Sequence, residues 1–167
     1  MFEEVAGIPA HPLLVHAAVV FVPLLALLAV AYSLVPALRP HTRWVLAALA
    51  VVAPVSALVT KLSGDAFFNR MEEAGRITES FLPVIEEHEQ LGNLTLMAAI
   101  VLGLATLALV YLVAPRVAAA AGSAAAAPRS GALVLVVKGV VILAAGVSIY
   151  FVVSAGDTGA KAVWTGY

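Results

Sequence analysis

The chain contains no cysteine. Disulfides, thiolate metal sites, covalent c-type haem attachment and cysteine-ligated iron–sulfur clusters are thereby excluded. Charge is scarce as well. Only 11% of the 167 residues are Asp, Glu, Lys or Arg, against about 25% in an ordinary soluble domain. The net charge of -1 offers no basic excess for nucleic acid, so none is expected as a partner. A basic n-region is missing too: the chain opens with Glu3 and Glu4, and its first apolar run is too long for a signal peptide. That run is expected to stay as a membrane helix. No phosphate-binding glycine loop is present, and Ser63, Ser80 and Ser154 stand in no nucleophile motif.

What the chain has in excess is apolar surface, 63% of its residues, where about 45–50% is usual. A soluble fold of this size could not hide that much, whereas lipid can serve as its solvent. Spanning the hydrocarbon takes about 20 mostly apolar residues. Four stretches qualify: about Pro12 to Val35, Trp44 to Leu62, Leu91 to Ala114, and Ala132 to Ser154. Pro23 and Pro54 fall inside the first two, where each is expected to kink its helix. The fold class is therefore all-α, a transmembrane four-helix bundle forming a single membrane domain over residues 1–167. Between helices two and three, Ser63 to Gln90 alternates Phe67, Met71, Ile77, Phe81, Leu82 and Ile85 with Arg and Glu. It reads as an amphipathic surface segment broken near Gly75 and Pro83. Val117 to Gly131 is an Ala-rich low-complexity linker.

Charge placement orders the topology. Loops one and three hold Arg39, Arg43, Arg116 and Arg129 and no acid, while every Asp and Glu falls on the opposite side. Basic short loops favour the cytoplasm, which places both termini outside a bacterial cytoplasmic membrane. A weak internal repeat fits a two-plus-two arrangement. It sets His88 opposite His11 and Asn93 opposite His16, and matches Ser63-Gly64-Asp65-Ala66 with Ala155-Gly156-Asp157-Thr158.

The four histidines carry most of the chemical interest. His41, between Arg39 and Arg43, reads as an interfacial cation, and His11 as a helix cap. His16 lies more than one turn inside an apolar helix, where a polar ring needs a partner. That partner is either another helix or a functional ligand. His88 enters helix three with Gly92 one turn later on the same face, leaving a gap for a planar cofactor or for close helix packing. His11 and His16 diverge by about 140° on a helix, so any shared ligand is bridged between helices. Imidazoles from different helices make a natural b-type haem site and equally suit zinc or copper. Arg70 and Arg76, on the same side, could hold haem propionates or pair with Glu72, Glu73 or Glu79. Lys138 reads as snorkelling to the interface or as a buried counter-charge.

The opening His11-Pro12-Leu13-Leu14-Val15-His16, the Ser63-Gly64 after helix two, and His88 with Gly92-Asn93 resemble domain-of-unknown-function family 2231. The resemblance spans about residues 7–167. It departs from the family's frequent Phe-Pro pair after the second histidine, showing Ala17-Ala18, and matches the family's usual ending only in part. It implies a small bacterial four-helix membrane protein. Members are sometimes joined to Rieske or cytochrome c domains, which implies extracytoplasmic electron transfer.

Together these features lead to the expectation of a b-type haem membrane protein. His16 and His88 are the ligands, His11 is a substitute or supporting donor, and Gly92, Arg70 and Arg76 line the cofactor. Its partners are the lipid bilayer and a periplasmic or extracellular redox protein. A homo-oligomer or a subunit of a larger complex also fits. Rival expectations are a zinc- or copper-binding or transport module using His11, His16 and His88 with Asp65 or Glu89, and a non-catalytic assembly or scaffold subunit.

Overall fold

The computed structural model describes residues 4–114 and 131–164. The Ala-rich linker with Arg116 and Arg129, the residues before Glu4 and the tail after Trp164 lie outside the described residues. A two-stranded hairpin, β1 (Glu4–Val5) and β2 (Ile8–Pro9), precedes helix α1 (Ala10–Leu34). Its turn residues Ala6 and Gly7 both have positive φ, 52° and 80°, as in the type I′ turns that suit the twist of paired strands. A 3-10 turn, Pro36–Leu38, leads into α2 (Arg39–Glu73); α3 (Leu82–Val113) and α4 (Gly131–Trp164) follow.

All four helices are long and apolar enough to cross a membrane. The chain is a multi-pass membrane protein built as an all-α four-helix bundle. Packing runs α1–α2–α3–α4 and back to α1, so α1 and α3 lie on a diagonal. The burial pattern is that of a body dissolved in lipid. Small residues such as Ala26, Ala53 and Ala99 are completely covered, while Leu27, Leu104 and Leu143 are 62%, 64% and 70% exposed. Between helices in lipid there is little hydrophobic drive, so close approach of small residues supplies the adhesion.

One such approach has a backbone cause. Pro54 lies inside α2 and has no N–H to give the carbonyl of Ala50, four residues earlier. Gly103 of α3 sits directly on that carbonyl: a Cβ at Gly103 would lie 2.5 Å from the Ala50 oxygen. Helices α1 and α2 continue past their interior prolines, Pro23 and Pro54.

The polar segment 63–90 is not a separate layer. Helix α2 runs on through it to Glu73 and α3 already begins at Leu82, leaving only a turn at 74–81. No strong breaker occurs before Gly75, which takes φ 64°. There the N–H of Arg76 donates to the Met71 carbonyl and that of Gly75 to the Glu72 carbonyl, both at 2.9 Å. This is the paired closure of a helix ending in a left-handed glycine. Past Leu62, α2 continues for roughly 16 Å, which carries its end out of the apolar span. Helix α4 likewise continues through Gly156 and Gly159 to Trp164 rather than stopping near Ser154.

At the opposite end, Arg39 closes α1. Its guanidinium donates to the carbonyls of Tyr32 at 3.1 Å and Ser33 at 3.3 Å, two of the acceptors that a helix C-terminus leaves without intrahelical partners.

Candidate functional site

His11 lies in the first turn of α1 and His88 in the second turn of α3. The diagonal of the bundle brings them together. Their ring centroids are 6.1 Å apart with planes at 77°, and Phe67 of α2 stacks beside His11 at 6.3 Å.

Each imidazole is held by the neighbouring helix in the same way. His11 Nδ1 is 3.1 Å from the Thr60 carbonyl and 3.1 Å from Ser63 Oγ. The Ser63 hydroxyl in turn donates to the Thr60 carbonyl at 2.7 Å. His88 Nδ1 is 3.0 Å from the Ala155 carbonyl and 3.2 Å from Thr158 Oγ1, while Thr158 Oγ1 is 3.1 Å from the carbonyls of Ser154 and Ala155. A glycine completes each seat. A Cβ at Gly64 would lie 3.1 Å from His11 Cε1, and one at Gly159 would lie 2.8 Å from His88 Cε1. Each seat thus consists of a carbonyl, a hydroxyl three residues on and a glycine next to it: Thr60, Ser63 and Gly64 in α2, and Ala155, Thr158 and Gly159 in α4.

This arrangement keeps the expected equivalence of His11 and His88 and shifts the match between the ends of α2 and α4. Ser63-Gly64 corresponds to Thr158-Gly159, three residues beyond the Ala155-Gly156 expected from the sequence. Gly156 faces open space. The sequence match followed the shared Gly-Asp of Gly64-Asp65 and Gly156-Asp157; the facing imidazole follows the hydroxyl-glycine pair instead.

The other expected residues fall elsewhere. His16 is exposed, on a face of α1 turned away from His11, and its Nδ1 is 2.7 Å from the carbonyl of Pro12 on its own helix. The imidazole that meets His88 is therefore that of His11 and not that of His16. Gly92 is not the glycine beside the imidazole, because a Cβ there would meet nothing within 4 Å. Arg70 is ion-paired with Glu4, which ties the N-terminal hairpin to α2. Arg76 is exposed on the turn. The metal group of His11, His16 and His88 with Asp65 or Glu89 does not form: among the described residues no three His, Cys, Asp or Glu side chains gather. Asp65 is instead paired with Lys61 at 2.5 Å, and Glu89 is exposed.

Thr60, Thr158, Gly159 and Phe67 belong to the site without having been singled out for it. The available signal was a Ser/Thr-Gly pair near the end of each even-numbered helix, with a backbone carbonyl three residues before the hydroxyl.

Exposed carboxylates surround this end. Among the described residues, Lys61, Arg70 and Lys161 of this end pair with Asp65, Glu4 and Asp157. Glu72, Glu73, Glu79, Glu86, Glu87 and Glu89 are all exposed there, with Arg76.

The helices and this end-on histidine pair define the class: a multi-pass four-helix membrane protein with two facing imidazoles. Comparison with protein-family models, curated proteins and solved structures gave no match. The likeness to family 2231 therefore rests on the quoted residues alone.

Proposed function

We propose that this is a membrane-bound b-type haem protein, with His11 and His88 as the two protein ligands of the iron, engaged in electron transfer at the extracytoplasmic face. The observation that carries the reading is the pair of imidazoles 6.1 Å apart, each anchored through Nδ1. Metal–imidazole bonds are about 2.0–2.1 Å long, so rings this close could both reach one ion. Ligating histidines characteristically donate their other N–H to a carbonyl or carboxylate, which matches both seats. The glycine seats let the rings lie close against α2 and α4, where a β-carbon would collide with them.

The donor count favours haem over bare zinc or copper. A tetrahedral site takes three or four protein ligands, and among the described residues no third His, Cys, Asp or Glu joins the two imidazoles. A porphyrin would bring its own four nitrogens, so His11 and His88 would be the only protein donors needed to hold the iron. Bound there, haem would supply one-electron exchange between its ferric and ferrous states. The chain's own residues hold the donors in place and set the charge around them. Because the basic loop favours the cytoplasm, the histidine end faces outward. Its exposed carboxylates would steer a basic redox protein toward it and speed encounter.

An absorption spectrum of detergent-purified protein, expressed with haem supplied, tests this. The wild type should show a Soret band. His11→Ala and His88→Ala should each lose it, and His16→Ala should retain it. A haem-supplied wild type without the band, or His11→Ala and His88→Ala proteins that keep it at full intensity, overturns the reading.

A further inference from the structure

We infer that Ser63 and Thr158 are positioning residues: with the carbonyls of Thr60 and Ala155 they hold both imidazoles as the Nδ1–H tautomer, so that two Nε2 lone pairs are offered to one ligand. This deepens the haem reading and rests on it only for the identity of that ligand.

The argument is a count of protons. A backbone carbonyl can only accept, so Nδ1 of each ring must donate to it. The hydroxyl beside it could in principle give its proton to an unprotonated Nδ1 and stabilise the opposite tautomer. It does not, because that proton is already committed. Ser63 donates to the Thr60 carbonyl at 2.7 Å, and Thr158 has only carbonyl acceptors, of Ser154 and Ala155, besides the ring. Each hydroxyl thus turns a lone pair to the imidazole, at 3.1 Å for His11 and 3.2 Å for His88. Every Nδ1–H meets two acceptors from an adjacent helix. Two acceptors fix the plane of the ring as well as its tautomer, which one acceptor does not. In the neutral ring the remaining nitrogen, Nε2, is then a lone-pair donor.

His16 serves as an internal contrast. Its Nδ1 has a single carbonyl acceptor one turn back on its own helix, with no hydroxyl. The seats differ from that local bond in being supplied across helices and in being doubled. They also occur twice with the same spacing, on the two helices that flank the histidine pair.

Nitrogen-15 NMR of histidine-labelled, cofactor-free protein in detergent reads the tautomer directly. In the wild type both His11 and His88 should show a protonated Nδ1 and a bare Nε2. Ser63→Ala should move the Nδ1–H resonance of His11 alone and Thr158→Val that of His88 alone. Ser63→Thr and Thr158→Ser should restore the wild-type positions, since each puts into one seat the hydroxyl found in the other. Hemin titration should show a loss of affinity of about 10- to 100-fold for Ser63→Ala or Thr158→Val, with recovery in the same conservative variants. A protonated Nε2 in either wild-type ring overturns the inference without any variant. So do Ser63→Ala and Thr158→Val proteins with unmoved histidine resonances. Failure of the wild type to bind hemin removes the haem reading, whereas the tautomer assignment is decided by the cofactor-free spectra.

Discussion

If the proposed haem binds, Gly159→Ala should lose the Soret band while staying folded, and Gly156→Ala should keep both the band and the fold. Both changes replace a helix-interior glycine, which by itself favours the helix by about 0.5–1 kcal/mol. They differ in what the new methyl meets. At 159 the Cβ would lie 2.8 Å from Cε1 and 3.2 Å from Nδ1 of His88, well inside van der Waals contact. The obstacle is a side-chain ring, so it moves aside and the bundle survives. In moving, the ring gives up its bonds to Ala155 and Thr158 and, with them, the position from which it would bind the proposed haem. At 156 nothing lies within 4 Å. Gly64→Ala is the intermediate case, with the Cβ 3.1 Å from His11 Cε1, and should weaken haem binding without abolishing it. Paired measurements of the Soret band and of thermal unfolding in detergent check the series. A Gly159→Ala protein with full haem occupancy through His88 would show that the seat does not govern the ligand.

Gly103→Ala should destabilise the bundle outright. Its Cβ would sit 2.5 Å from the Ala50 oxygen and 3.4 Å from Cγ of Pro54. Here the obstacle is backbone, so no rotamer change relieves it and α2 and α3 must separate. Inserting volume into a packed interface costs about 1–3 kcal/mol, and against a backbone obstacle the upper part of that range applies, above the helix-propensity gain of about 1 kcal/mol from replacing glycine. Gly103→Val should be worse, since its extra methyls meet the same wall. Gly139→Ala is the control, because nothing lies within 4 Å of that position. Denaturation in a mild detergent compares the three. Equal stability of Gly103→Ala and Gly139→Ala would mean that α3 does not bear on the carbonyl freed by Pro54.

These two glycines show where sequence reading stops. Gly103 stands in an apolar run with no motif around it, and its importance comes from a proline 49 positions earlier on another helix. Gly159 lies three residues from Gly156, and each matches half of Ser63-Gly64-Asp65: Gly156 by the Asp that follows, Gly159 by the hydroxyl that precedes. Hydrophobic content is a local property, which is why the four spans were legible. So was the break near Gly75, because a left-handed residue is needed wherever a helix of this kind closes. The continuation of α2 to Glu73 and of α3 from Leu82 was less legible: polarity in 63–90 marks departure from the lipid, not the end of the helix.

The histidines divide along the same line. That His11 and His88 lie at one end of the molecule follows from counting spans, and that His11 and His16 diverge follows from the turn of a helix. Which of them meets His88 depends on how α1 is rotated about its axis and how far it is raised against α3. Those quantities are fixed by packing between α1, α2 and α4. A membrane-spanning four-helix bundle with its carboxylates at one end was determined by the order of residues alone, because lipid solvation acts on each segment separately. The pairing of His11 with His88, the departure of His16 to an exposed face and the choice of Gly159 over Gly156 were decided only by tertiary structure, because each depends on contacts between helices far apart in the chain.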